Sequence, residues 1–277
     1  MDKNLYGKSV TENIYKNIKN KLNNLKLNNL KLTIVLVGNR QDSLTYVNIK
    51  KKMCSKLGID CIIYSYDKNI CEEDIIYKVK ELNYDESVKG IMIQLPLPKH
   101  LNEQHILSQI SINKDVDGLH PNNLGLIMTN KEPLYYPCTP LGIIELFNHY
   151  RIDVEKKNIV FVGTGMVNMP LSIMLLNKKA GSITLCNEFT ENIKEKTIDA
   201  DILITACGQP KMIKSDWIKE GVIIIDIGIN RDENNKLCGD IDYNDVIDKV
   251  KYITPVPGGV GPITVSILLN NLVKFDN

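Results

Sequence analysis

The chain has 277 residues, 43% of them hydrophobic and 24% charged, and a formal net charge of +1. That balance suits one large or two modest globular domains with ample core. It lacks the basic field that nucleic-acid binding needs, and no apolar run is long enough to span a bilayer.

Seven cysteines, at 54, 61, 71, 138, 186, 207 and 238, form no CxxC pair. Neither a disulfide framework nor a metal site is expected, and a reducing, cytoplasmic compartment is. The opening "MDKNLYGKSV" carries no apolar signal core.

Residues 9–27 place Val10, Ile14, Ile18, Leu22 and Leu25 at helical spacing, with Thr11 as the expected N-cap. "LTIVLV" (32–37) predicts a buried strand, and "DSLTYVNIKKKMCSKLG" (42–58) a helix stopped by glycine. "DCIIYSY" (60–66) predicts a strand, 71–82 a helix, and "GIMIQL" (90–95) a third strand ending at Pro96 and Pro98. This βαβαβ order predicts a parallel sheet covered by helices.

Residues 111–139 read as loop-rich, and 140–150 as a helix. A second series of strands follows: "NIVFVG" (158–163), "SITLCN" (182–187), "DILITAC" (201–207) and "GVIIIDIG" (221–228). The tail "ITPVPGGVGPITVSILLNNLV" predicts a turn-rich loop opening onto a helix. The fold class is therefore α/β, with two domains joined near residue 139 and ligands at the C-terminal ends of strands or in a cleft between domains.

"IVFVGTGMVNMP" follows a strand and precedes a helix, the context a dinucleotide loop requires. Gly163 makes the tight turn there, and Gly165 lets the backbone approach a pyrophosphate at the helix N-terminus. Asn168 stands where a third glycine is usual. Glu188 lies 23 residues after Gly165, at the end of the next strand, where an acid can hold ribose hydroxyls. A plain strand–helix turn and a solvated loop carboxylate are the bland alternatives.

Tyr46 and Lys50 share one helix face. Tyr-X-X-X-Lys is also the pair of short-chain dehydrogenases, but there the glycine loop precedes the pair, and here it follows. "NKDVDG" (113–118) starts like a calcium loop, yet its twelfth position is Leu124, not the required Glu, so an EF-hand is rejected. A carboxylate recognising a polar ring, or a simple Asx turn, remains. "TPVPGGVGP" (254–262) is either a connector or a loop presenting backbone N–H groups at close range.

Taken together, "VGNRQDSLTYVNIK", "GIMIQLPLP", "KDVDG", "PCTPLG", "DIGIN" and "TPVPGGVGPIT" occur in the order and spacing of one family. The chain closely resembles bifunctional methylenetetrahydrofolate dehydrogenase/methenyltetrahydrofolate cyclohydrolase over nearly its whole length. The resemblance implies an N-terminal folate-binding and catalytic domain (1–138) and a Rossmann-type domain (139–261), with a final helix (about 262–277) returning to the first. It implies a homodimer formed through the nucleotide domain, and tetrahydrofolate derivatives as substrates.

By the same resemblance Lys50 is the cyclohydrolase lysine, Gln94 its partner, Tyr46 the tyrosine that stacks near the folate, and Asp117 the carboxylate that binds the pterin. Ile93 and Leu95 flank Gln94, and Pro257, Gly258, Gly259, Val260 and Gly261 line the folate. Cofactor contacts fall to Thr139, Gly163, Thr164, Gly165, Glu188, Cys207, Gly208, Ile229 and Thr264.

The implied chemistry is oxidation of 5,10-methylenetetrahydrofolate with NAD or NADP, then hydrolysis to 10-formyltetrahydrofolate. A monofunctional NAD-dependent dehydrogenase and a catalytically silent binding protein are the alternatives. Where NADP-using members carry Gly-Arg-Ser, this chain has Gly163-Thr164-Gly165, and Asn187-Glu188 replaces their His-Arg or His-Ser. Thr164 offers no cation to a 2′-phosphate and Glu188 repels one, so NAD is expected, with Lys194 a possible rescuer of phosphate binding.

Overall fold

The computed structural model describes residues 2–24 and 30–274. Leu25 and the last three residues lie outside them. The chain divides into two units: Ile14–Cys138 with the chain from Val265 on, and Thr139–Thr264 with the chain up to Asn13.

The first unit contains most of α1 (Gly7–Asn24), then β1 (Lys31–Val37), α2 (Gln41–Lys56), β2 (Asp60–Tyr66), α3 (Glu72–Tyr84), β3 (Val88–Ile93), α4 (Glu103–Ser108) and α5 (Pro121–Met128). Its strands form a parallel sheet in the order β2-β1-β3. β1 lies in the middle and is buried on both faces from Leu32 on, which is why it reads as a continuous apolar run. Full burial of residues such as Ile34, Ile91 and Ile75 contributes roughly 1.5–3 kcal/mol each.

Thr11 is not a cap. α1 begins at Gly7, and the Thr11 hydroxyl donates to Lys8 O (2.8 Å) inside the helix. The stretch expected to be loop-rich contains α5, whose start is fixed by Pro121 in the first turn and by the His120 side chain accepting from Asn122 N. Just ahead of it, α4 is capped by Asn102. Helices this short show too little periodicity to be read from sequence.

The second unit contains α6 (Cys138–Tyr150), β4 (Asn158–Val162), α7 (Asn168–Asn177), β5 (Ser182–Cys186), α8 (Ile193–Thr197), β6 (Ile202–Thr205), β7 (Ile223–Asp226), β8 (Asn230–Arg231), β9 (Leu237–Cys238), α9 (Tyr243–Val246), β10 (Tyr252–Ile253) and the start of α10 (Val260–Leu272). Five parallel strands run in the order β10-β7-β6-β4-β5, and β8 and β9 form an antiparallel pair. The order reverses at β4, so the loop after β4 sits at the switch point where such sheets take ligands. The N-terminal segment extends the β10 side: Asn4 bridges to Ile253, and Leu5 N donates to Ile253 O (2.8 Å).

Among the described residues no helix is long and apolar enough to cross a membrane.

Candidate active site

In the first unit, α2 turns Ser43, Val47, Lys50 and Cys54 inward, a spacing of one helix face. Lys50 is therefore buried, at 4% exposure, although it is a lysine. Its Nζ donates to Gln94 Oε1 (2.9 Å). Gln94 follows β3 directly and is pinned at both ends, since its N–H donates to Val35 O (2.8 Å) and its Nε2 to Leu95 O (2.8 Å). The second bond turns the amide oxygen toward the ammonium. Burial pushes the Lys50 amine below the ordinary lysine value; Asp117, Cys138 and Cys61 oppose that shift.

The two aspartates of "KDVDG" separate by their partners. Asp115 is fully buried and accepts from Leu119 N (3.2 Å), His120 N (2.8 Å) and Asn123 Nδ2 (2.9 Å), so it holds the turn together. Asp117 instead faces Lys50 and the Cys138 thiol, and burial raises its carboxyl against the pull of those two groups. Gly118 between them and α5 has φ +74, and a Cβ there would lie 2.4 Å from Tyr136 O. Lys114 anchors the turn to the end of α3 by donating to Leu82, Asn83 and Asp85 carbonyls.

Lys50, Gln94 and Asp117 are thus brought together. Tyr46 sits one turn before Lys50, partly buried, and burial followed by the Asp42 charge raises its phenol to about 12, so it stays protonated at neutral pH. Ile93 has its side chain in the sheet core at 1% exposure, while Leu95 is partly exposed. Sequence reasoning missed Cys138, whose thiol reaches Val116 O (3.3 Å), and Asn271, whose Nδ2 donates to the same carbonyl (2.9 Å). No local pattern announces either residue.

In the second unit, Gly163 has φ +103, and a Cβ there would lie 2.3 Å from Ala206 O. Gly165 has open space around its Cβ position. Val167 precedes α7 without a side-chain cap; Met169 N donates to the Gly165 carbonyl (3.2 Å), and Pro170, next in the first turn, has no N–H. Asn168 is fully buried; its Nδ2 donates to Gly163 O (2.9 Å), which ties the helix start to the end of β4. Its Oδ1 is a buried acceptor without a hydrogen-bond partner. An open glycine at a tight turn between a strand end and a helix start without a side-chain cap fits the close approach of a phosphate-bearing ligand.

Asn187 Oδ1 accepts from Phe189 N (3.1 Å) and forms a turn that places Glu188 exposed at its tip. Lys194 pairs with Asp216. Thr139 and Thr264 share a hydroxyl–hydroxyl hydrogen bond (3.0 Å). Cys207 N donates to Asp240 Oδ2 (2.7 Å), Gly208 has φ +69, and Ile229 is 39% exposed. In the proline–glycine loop, Pro257 is exposed and Gly258 adopts φ +112. Gly259 N donates to Pro255 O (2.8 Å), and Val260 and Gly261 open α10.

Comparison with known proteins agrees with both halves of this geometry. Residues 5–117 match the tetrahydrofolate dehydrogenase/cyclohydrolase catalytic domain, and residues 137–277 match the NAD(P)-binding domain of the same enzymes. The bifunctional protein FolD of Aquifex aeolicus is 44% identical, over 98% of this chain and 94% of its own. The crystal structure of the bifunctional FolD methylenetetrahydrofolate dehydrogenase/cyclohydrolase from Campylobacter jejuni superposes with TM-score 0.92 at 42% identity, covering 98% and 97% of the two chains. A Trypanosoma brucei methylenetetrahydrofolate dehydrogenase-cyclohydrolase, solved with NADP cofactor and inhibitor, has TM-score 0.89 at 31% identity over 99% and 96%. The chain belongs to the tetrahydrofolate dehydrogenase/cyclohydrolase family.

Proposed function

We propose that this enzyme oxidises 5,10-methylenetetrahydrofolate and then hydrolyses the methenyl product to 10-formyltetrahydrofolate, with Lys50, Gln94, Asp117 and Tyr46 serving the folate. The observation that carries this reading is the buried Lys50–Gln94 pair facing Asp117, in a chain whose relatives carry both activities in their names.

Hydrolysis begins when water adds to the methenyl carbon. The neutral Lys50 amine takes a proton from that water, the resulting ammonium returns a proton to the ring nitrogen as its bond to the carbon breaks, and the carbinol O–H loses its remaining proton to solvent as the formyl C=O forms. Burial favours the neutral amine needed for the first step, and Gln94 orients it without adding a charge. Asp117 grips amino and ring N–H donors of the pterin, and Tyr46 packs on its aromatic part.

Oxidation requires no side-chain base, because the folate nitrogens support the developing cation and positioning dominates. A bound nicotinamide dinucleotide supplies the hydride acceptor. Gly163, Gly165 and the start of α7 would hold its pyrophosphate, with Thr139, Cys207, Gly208, Ile229 and Thr264 as further contacts. NAD is the proposed form. Thr164 offers no cation, Glu188 is exposed where a ribose hydroxyl can reach it, and Lys194 is already paired with Asp216.

The proposed homodimer forms through the second unit. There β5 is the edge strand, and Met169, Leu176, Leu185 and Phe189 on and beside it are exposed. A reducing, cytoplasmic compartment is the proposed location, on the odd number of cysteines and the lack of any CxxC pair in the sequence.

Assaying both steps with both cofactors tests the proposal. The expected result is methenyl formation with a higher kcat/KM for NAD than for NADP, and hydrolysis of supplied methenyltetrahydrofolate. A clear NADP preference overturns the cofactor assignment, and absence of hydrolysis overturns the bifunctional reading.

A further inference from the structure

Two carboxylates without an assigned role lie deep in the second unit. Asp226 ends β7 and Asp240 follows β9; their exposures are 4% and 0%. Asp226 Oδ1 accepts from Gly228 N (3.0 Å), Asp240 N (3.1 Å) and Thr205 Oγ1 (3.2 Å), and its Oδ2 accepts from Ile241 N (3.1 Å). Asp240 Oδ2 accepts from Cys207 N (2.7 Å), and its Oδ1 from Gln209 N (3.0 Å) and Asn230 Nδ2 (2.8 Å). The surrounding glycines exist to admit these groups. A Cβ on Gly228 would lie 2.4 Å from Asp240 Cγ, and one on Gly239 would lie 1.8 Å from Asp226 Oδ2.

Asp240 therefore joins two loops that are far apart in sequence, Cys207–Gln209 after β6 and Gly228–Asn230 after β7. Those strands are neighbours and pair Thr205 with Asp226 at their C-terminal ends. Sheet order then identifies what the loops face. In the proposed dinucleotide reading, the loop after β4 takes the pyrophosphate and the turn after β5 the adenosine ribose, on one side of β4. β6 and β7 lie on its other side, so their loops receive the far half of the dinucleotide, the nicotinamide nucleoside.

We propose that Asp240 is a positioning residue for hydride transfer. It fixes the separation of the β6 and β7 loops, and so the placement of the nicotinamide ring, while acting only through their backbone and Asn230. The inference rests on the dinucleotide reading of the second unit.

Asp240→Asn preserves shape but turns an NH2 group toward at least one of three donors. At saturating NAD, dehydrogenase kcat should fall about 10- to 100-fold. The Kd for ADP-ribose, which lacks the nicotinamide ring, should change less than about threefold, and cyclohydrolase turnover of supplied methenyltetrahydrofolate should be kept. Wild-type dehydrogenase kcat in Asp240→Asn overturns the proposal.

Asn230→Ala is the milder companion, removing one donor with the carboxylate kept. It should lower dehydrogenase kcat about two- to tenfold with the same split between kcat and ADP-ribose affinity. If Asp240→Asn fails to fold and Asn230→Ala retains full kcat, or if ADP-ribose affinity falls as far as kcat in either variant, Asp240 is a structural residue only. If wild-type protein binds no ADP-ribose, the dinucleotide reading itself fails, a result distinct from the variants' behaviour.

Discussion

Lys50 and Gln94 come from separate segments and meet through their side chains, with Asp117 near enough to act on Lys50 by its charge, whereas the glycine loop and the segments after β6 and β7 are shaped by backbone groups. In the first unit, the fold's task is to bury one amine and give it one acceptor. In the second, the chain turns at Gly163 and Gly208, Asp226 and Asp240 accept from backbone N–H groups, and Asn168 Nδ2 donates to the Gly163 carbonyl. The difference teaches where each activity is vulnerable. A side-chain site fails when one functional group is removed, and a backbone site fails when an atom is added.

The sharpest test of that contrast is Lys50→Met, which keeps length and apolarity but removes the amine. Cyclohydrolase activity should fall about 10²- to 10⁴-fold, with dehydrogenase activity partly retained. Wild-type rates of methenyl hydrolysis would remove Lys50 from the mechanism.

Gly163→Ala tests the other half by adding a single methyl where φ is +103 and Ala206 O is 2.3 Å away. We expect a loss of about 1–3 kcal/mol in stability, read as a lower Tm, and reduced dehydrogenase activity with hydrolysis of supplied methenyltetrahydrofolate retained. Unchanged Tm and kcat would show that the loop is not as tightly determined as its geometry implies.

A smaller change is expected from Glu188→Ser. Removing the exposed carboxylate should move the NAD:NADP ratio of kcat/KM toward NADP by about fivefold. An unchanged ratio would place cofactor choice elsewhere.

The mildest test needs no mutation. Hydrolysis requires the neutral Lys50 amine, and burial disfavours its charged form. The cyclohydrolase rate should therefore rise with pH through an ionisation lying below the ordinary lysine value of 10.5. Hydride transfer needs no such base, so the dehydrogenase profile should lack this limb. A shared limb in both profiles would argue that it does not belong to Lys50.

Much of the first unit was legible from sequence because its β1 and β3 are apolar runs and α2 carries a clear glycine stop. Tyr46 and Lys50 were readable as a pair on one face of α2, and Gln94 and Asp117 were singled out only by the family resemblance. The strand–turn–helix at Gly163 and Gly165 was legible from the glycines between an apolar run and a helical stretch. α4 and α5 were not, being about two turns each, and the N-terminus of α1 was misplaced because Thr11 donates back to Lys8 instead of capping. Asn168 carried no sequence signal for its clamp on Gly163, since that bond depends on how α7 packs against the end of β4.

The α/β class, the alternation of elements and the family of the chain could all be read from the residues in order. Those rest on local periodicity and on motifs contiguous in the chain. Only the tertiary structure decided that Asp115 braces the turn while Asp117 faces Lys50, that Cys138 and Asn271 converge on Val116 O, and that Asp240 ties Cys207 and Gln209 to Asn230. Burial is the physical reason. Asp115, Cys138, Asp240 and Asn271 are removed from water and must find their partners across the fold, and sequence spacing contains no record of which distant segment supplies them.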